Sequence, residues 1–333
     1  MTQLAGKLVT FGVQKHLIRM SKHWTTGDIP ILHGKRFIIT GANTGIGYHA
    51  ALKLARREAE LVLACRDQRK GEAARAKMLH EAPGAHIELE ILDLASLNSV
   101  RSFADRELTK QRPVHVLINN AGVMAVPNRV ETADGFEMQF GTNVLGHFAL
   151  TGLLLPVLVS TSSADEPSRV VTIASIAHKR TSLQLDDLQS TRSYTPMGAY
   201  QQSKLGDLMF SFELSRRLRE KRSSVMSVAA HPGVAATELF RGDGRSAAFK
   251  TARTIVVHAI GILLNNDAEG ALPTLYAATS PDAVDGGYYG PQGFEEMRGE
   301  TVGDAKVAPQ ARDLAAAAKL WELCEQWTGV RFP

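Results

Sequence analysis

The chain has 333 residues, 44% hydrophobic and 22% charged, enough to bury a sizeable core and without the bias of a disordered or repetitive sequence. Its formal charge of +4 arises at the start: the first 27 residues hold Lys7, Lys15, Arg19 and Lys22 and none of the 34 acidic residues, so the remainder is electrically balanced. With no basic stripe, two cysteines in unrelated contexts and no His-x-x-x-His pair, the sequence argues against nucleic-acid binding, a disulfide framework and a bound metal.

In chain order, the first expected element is a helix within the acid-free segment. At about 100° per residue, Val9, Val13, Leu17, Met20 and Trp24 form one stripe, and Lys15, Arg19 and Lys22 lie opposite. Such a helix suits packing on its own domain or on a partner subunit. Peripheral contact with an anionic membrane through residues 1–27 and an organellar leader are the other readings. Residues 1–34 therefore read as an extension, and residues 35–333 as the domain. Isolated cysteines fit a reducing, cytoplasmic setting. No uninterrupted apolar run reaches the roughly 18 residues of a membrane-spanning helix.

From residue 35 onward, short apolar runs alternate with helical patterns. The expected strands are 35–40, 61–65, 86–92, 114–119, 169–175 and 224–230, with "GGYYG" (286–290) as a late seventh. Helices are expected over 45–57, 68–81, 96–110, 135–159 and 199–221, and a closing helix over 311–327. This alternation predicts an α/β fold: a Rossmann-type doubly wound parallel sheet of about seven strands, with helices on both faces, in a single domain.

The first strand runs into "TGANTGIG" (40–47). Glycine permits positive φ and close approach of backbone to a pyrophosphate, and the following helix offers unpaired N–H groups to the anion. Gly41, Asn43, Thr44, Gly45, Ile46 and Gly47 are thus candidate cofactor-binding positions, although the spacing is Gly-x-x-x-Gly-x-Gly. A turn built for packing alone is the competing reading. The second strand ends in "CRD", and Arg66 and Asp67 stand about 20 residues beyond the glycines, where a side chain reaches the adenosine ribose. A cation there accommodates a 2′-phosphate and an acid prefers a 2′-hydroxyl; Arg66 comes first and points to NADP, with NAD left open by Asp67. Strand three closes on Asp93 and Leu94, and strand four on Asn120, Ala121 and Gly122, at the strand ends where open sheets bind ligands. Asp93 is also placed to cap the helix that begins near Ser96.

On a helix, Tyr200 and Lys204 in "YQQSK" share one face. A nearby ammonium favours the phenolate and lowers the pKa of a phenol, the tuning that general acid/base catalysis needs. Alone, the pair reads as surface packing. It is accompanied by Ser175 at the end of the fifth strand, by Asn143 mid-helix, where an amide calls for a partner, and by "HPGVAAT" (231–237) after the sixth strand.

Together these stretches resemble the short-chain dehydrogenase/reductase family over about residues 35–328, and within it the retinol-dehydrogenase-like branch, through "TGANTGIGYHAALKLARREAELVLACRD", "TNVLGHFALTGLLLP", "EGALPTLYAAT" and "KLWELCEQWTG". The resemblance implies an NAD(P)(H)-dependent oxidoreductase acting between a carbonyl and an alcohol. It implies that Tyr200 is the proton donor or acceptor, that Lys204 lowers its pKa and holds the nicotinamide ribose, and that Ser175 polarises the carbonyl. Asn143 would order a water near Lys204, and Pro232, Gly233 and Thr237 would hold the carboxamide.

The apolar segment 247–266 is a candidate pocket wall, which favours a bulky lipophilic substrate of retinoid, steroid or alkyl-ketone type; a homo-oligomer contact or a core helix is the other reading. Residues 182–197 are a second candidate wall. The alternative function is a non-catalytic NADP-binding sensor or scaffold on the same fold.

Overall fold

The six strands expected between residues 35 and 230 all form, and in the central ones alternate side chains enter one of two cores because helices cover both faces of the sheet. The structure, a computed structural model, describes residues 24–233 and 267–333. Its strands are β1 (Arg36–Thr40), β2 (Glu60–Cys65), β3 (Ile87–Ile91), β4 (Val116–Asn119), β5 (Arg169–Ile173), β6 (Met226–Ala230), β7 (Tyr288–Pro291) and β8 (Val302–Asp304). They lie in the order β3-β2-β1-β4-β5-β6-β7-β8, parallel as far as β7. β8, antiparallel to β7, adds to the seven expected strands. It is three residues long with one buried side chain, Val302, too little to leave a pattern.

The alternation is visible in the packing. Ile38, Leu117 and Val170 enter one core, while Phe37, Ile39, Val116, Ile118 and Val171 enter the other. The first core is closed by α3 (Leu97–Thr109), α4 (Met138–Thr161), α5 (Pro196–Glu220) and α7 (Leu314–Thr328). The second is closed by α1 (Gly45–Ala55), α2 (Gln68–Glu81) and α6 (Leu272–Thr279). Trp24, Ile29 and Leu32 also belong to this second core, and Trp24 meets Tyr276 edge-on at 5.3 Å. The end of the amino-terminal extension is thus packed on its own domain. The rest of the expected amphipathic stripe, residues 9–20, lies outside the described residues, as does segment 247–266.

Two helices depart from simple expectation. α4 contains a π-helical turn at Gly141–Leu145, with Asn143 at its centre. By length and composition α4 is apolar enough to cross a membrane, but most of it is buried within the first core. α5 starts three residues earlier than expected, since Thr195 caps it by accepting from the Gly198 N–H and Pro196 supplies a preset φ at the first position. That start sets Tyr200 in the second turn. Parallel register brings Thr40, Asn119, Ile173 and Ala230 to one edge of the sheet, where the candidate residues meet.

Candidate active site

The glycine turn and the loop after β4 are joined through one hydroxyl. Thr40 Oγ1 accepts from the N–H groups of Asn120 and Ala121, both at 2.9 Å, and Asn120 Nδ2 donates to the Thr40 carbonyl at 2.8 Å. Gly41 has φ +66°, and a Cβ there would lie 2.9 Å from that of Ala121. A Cβ at Gly47 would clash with Asn120 Nδ2 and lie 2.8 Å from the Gly41 carbonyl oxygen. These glycines therefore do serve packing. Gly45 differs: at φ +59° a Cβ there would meet, among the described residues, nothing nearer than Asp267 at 4.0 Å, which leaves room on that side of the first turn of α1. Thr44 sits at the N-cap without spending its side chain on the helix. Open space at a helix N-terminus fits a pyrophosphate.

Tyr200, Lys204, Ser175 and Asn143 are all buried at the same edge. Lys204 Nζ lies 6.0 Å from the centre of the Tyr200 ring. The ammonium donates to the Ile173 carbonyl oxygen and to Asp207 Oδ2, each at 2.8 Å. Ser175 follows β5 and caps the short helix Ile176–Arg180, which packs against α5. Its Oγ accepts from the Ala177 N–H, so its own proton remains for donation. His178 bridges behind it. Nδ1 donates to the Ser175 carbonyl (2.6 Å) and Nε2 accepts from the Ala308 N–H (3.2 Å), which fixes the tautomer. Burial lowers the pKa of His178 to about 4, so the bridge is neutral.

The mid-helix amide has the partners its position demands. Asn143 Oδ1 accepts from the Val123 N–H (2.8 Å), while Nδ2 donates to the Val123 carbonyl (3.0 Å) and to Ser203 Oγ (2.9 Å). Asn143 thereby locks the loop after β4 onto α5. Gly122 lies beside this lock, where a Cβ would come 3.3 Å from Asn143 Oδ1 and 3.7 Å from Lys204 Nζ. The main-chain carbonyl of Asn143 accepts from His147 Nδ1 at 2.8 Å, and His147 Nε2 then accepts from Thr40 Oγ1 at 2.9 Å. Burial holds His147 down to about 3, so this link between the glycine turn and the π turn carries no charge.

A model of the family described as "short chain dehydrogenase" matches residues 35–247. The chain belongs to the short-chain dehydrogenase/reductase family. With that membership comes the class of NAD(P)-dependent oxidoreductases that interconvert alcohols and carbonyls. Among its relatives, human retinol dehydrogenase 13 is 42% identical over 303 residues, covering 90% of this chain and 86% of the relative. Human polyprenol dehydrogenase is 40% identical, covering 76% and 75%. A solved structure of an uncharacterised protein from Mycobacterium paratuberculosis is 40% identical with a TM-score of 0.75, covering 94% of this chain and all of that one. L-Sorbose reductase from Gluconobacter frateurii, solved with NADPH and L-sorbose, shares the fold at 18% identity and a TM-score of 0.60.

In this short-chain dehydrogenase/reductase the other expected positions divide. Arg66 is exposed directly after β2, whereas Asp67 is turned into α2, its Oδ1 accepting from the Lys70 N–H at 3.0 Å. That backbone hydrogen bond also lowers its pKa. Asp93 accepts from the Ala95 N–H, and Ser96 is the cap of α3. Leu94 is buried in the first core. Gly233, at φ +78°, takes part in the turn after β6, where its N–H donates to His231 Nδ1 (3.1 Å) and a Cβ would clash with the Met297 carbonyl. Thr237 lies outside the described residues. Residues 182–197 are tied to the loop after β4: Tyr194 Oη donates to the Val126 carbonyl (2.6 Å), and Arg129 Nε to that of Gln189 (2.9 Å). Glu88, Glu90 and Glu107 converge as three carboxylates would around a metal, but the Lys110 ammonium stands among them, at 2.9, 2.8 and 2.6 Å.

Sequence reasoning missed Asp207 and His147. The first could have been found from its i+3 spacing to Lys204. The second carried no signal, since a histidine in an apolar helix reads as core.

Proposed function

We propose that this enzyme uses NADP(H) to interconvert a carbonyl and an alcohol on a bulky lipophilic substrate, with Tyr200 as general acid and base. The observation that carries the reading is that Tyr200 and Lys204, with Nζ 6.0 Å from the ring centre, lie buried on α5, which packs against the short helix capped by the buried Ser175 at the carboxyl edge of the sheet.

The glycine turn with its open Gly45, and Gly122 beside Lys204, fit a dinucleotide laid across this edge. Arg66, exposed at the end of β2, would pair with a 2′-phosphate, since the nearby carboxylate of Asp67 is committed to α2. A bound nicotinamide supplies or accepts the hydride. The protein supplies position and a proton. Ser175 Oγ donates to the substrate oxygen as negative charge develops on it. Tyr200 Oη delivers the proton in reduction and removes it in oxidation. Lys204 stabilises the phenolate left behind, and its third proton remains for a ribose hydroxyl once Ile173 and Asp207 have taken two. Lipophilic substrate preference is supported by relatives named for retinol and polyprenol, both long apolar alcohols.

NADPH consumption with a panel of retinoid, steroid and alkyl aldehydes and ketones tests the reading. Turnover is expected on at least one, and Tyr200→Phe should lower kcat by about 100- to 10,000-fold while leaving NADPH binding intact. No turnover on any, or full activity in the Phe variant, would sink it. Tight NADPH binding without hydride transfer would instead favour a sensor.

A further inference from the structure

Lys204 is expected to act on Tyr200 through its positive charge, yet that charge is paired inside the protein. Asp207 lies one turn further along α5, with its side chain 3% exposed and its carboxylate 2.8 Å from Nζ. Both partners are buried, so the interaction is screened by protein rather than by water. A surface lysine–aspartate pair at this spacing would matter little. Here it sits beside the group whose protonation defines the reaction.

We propose that Asp207 is a positioning and charge-tuning residue of the reaction: it holds Lys204 in place and partly neutralises the field that the ammonium exerts on the Tyr200 oxygen. This rests on the role given to Tyr200 and Lys204 above. The geometry separates the two effects. Holding needs only an acceptor at the Oδ2 position, whereas neutralising needs a negative charge there. The pair thus favours the protonated phenol more than an unpaired lysine would, and so the proton-donating form that carbonyl reduction requires.

Among the described residues, the titratable groups that face the pair add no competing charge near neutrality. Cys324 on α7 faces Asp207, and burial raises its thiol pKa far above the ordinary value. His147 on α4 faces Lys204 and stays neutral, its pKa lowered to about 3 by burial. Burial raises Asp207 itself to about 6, against the opposing pull of Lys204, so the carboxylate is charged above that pH and protonates below it.

Asp207→Asn keeps an acceptor of nearly the same shape and removes the charge. Its acid limb in the pH profile of alcohol oxidation should move down by about one pH unit, with the KM for NADP unchanged. Asp207→Glu, which keeps the charge, should leave that limb in place. Asp207→Ser serves as a second neutral variant, and circular dichroism checks the fold of each. An unmoved limb in a folded neutral variant overturns the proposal. Failure of both neutral variants to fold also overturns it, because the pair would then serve the core and not the reaction. A readout free of turnover is the phenolate ultraviolet absorbance of each protein minus that of its Tyr200→Phe counterpart. That titration should shift in the same direction by the same amount. If no variant turns over any substrate while the titration still shifts, the assignment of function fails and the role of Asp207 stands.

Discussion

The two edges of the sheet handle charge in opposite ways. At the amino edge, Arg36, which is 1% exposed, donates to Glu107 (2.7 Å); Glu107 also accepts from Lys110, which reaches Glu88 and Glu90, and Arg112 bridges Glu88 and Glu60. Each carboxylate of the central group has more than one cation, and each cation more than one carboxylate. At the carboxyl edge, among the described residues, the charges stand apart in separate pairs, Lys204–Asp207 on α5 and Lys179–Glu296 behind Ser175, while Arg66 is exposed at the end of β2 and a Cβ at Gly45 would have room. Saturated pairing leaves nothing to offer a ligand. Sparse pairing on a buried frame leaves a proton and open backbone for one, which is where open α/β sheets carry their chemistry.

The sharpest way to break this contrast is to unpair the amino edge. Glu107→Ala would leave the buried Arg36 with only the longer contact to Glu88 (3.5 Å), since its Nε and Nη1 have no hydrogen-bond partner among the described residues. The expected cost is about 3–5 kcal/mol of unfolding free energy, measured by urea denaturation, with NADPH affinity unchanged in the folded fraction. The double change Arg36→Met with Glu107→Leu removes both charges and should recover most or all of that loss. A fall in cofactor affinity in the single variant would show that the two edges are coupled, and the division of labour would fail.

The contrast was only partly legible in the sequence, for reasons that differ by residue. Strands buried on both faces read as continuous apolar runs, so β1, β4 and β5 were plain, whereas β8 has too few residues to carry any period. Tyr200 and Lys204 stood out because their spacing puts them on one helix face. Asp207 lies on that face too, but a carboxylate three residues from a lysine ordinarily means a solvated pair, and only the packing of α5 against β5 and α7 buries it. Asn143 announced that it needed partners. Which partners, Val123 and Ser203, depends on chain crossings that no local pattern encodes. The π turn around it has no sequence signature. Asp67, which left NAD open, has a second use that the sequence also allows: one step before a helix, it is an excellent cap.

An intermediate effect is expected where backbone packing and ligand binding share one residue. Gly47→Ala puts a Cβ against Asn120 Nδ2, which is held in place by its hydrogen bond to the Thr40 carbonyl, and against the backbone carbonyl of Gly41. Overpacking of this kind costs about 1–3 kcal/mol. Because Asn120 also anchors the loop after β4 through Thr40, the shift should carry to the cofactor site, lowering NADPH affinity along with stability. Calorimetry on the folded variant would separate the two losses. Loss of stability alone would mean that the turn is built for packing and that the dinucleotide lies elsewhere.

The smallest structural effect is expected at Arg66, and it is the most informative about the carboxyl edge. The side chain is exposed and its neighbour Asp67 is engaged by α2, so Arg66→Ala removes no buried contact and should leave the unfolding temperature unchanged. If the guanidinium is kept for a 2′-phosphate, the variant loses a charge-assisted hydrogen bond, roughly 10- to 100-fold in NADPH affinity. NADH, which lacks that phosphate, should bind as before. Equal losses for both cofactors would mean that Arg66 acts through the shape of the loop. No loss for either would remove Arg66 from the cofactor's partners, and the preference for NADP(H) would then need another donor, for which the exposed Arg69 and Lys70 in the first turn of α2 are near candidates in sequence.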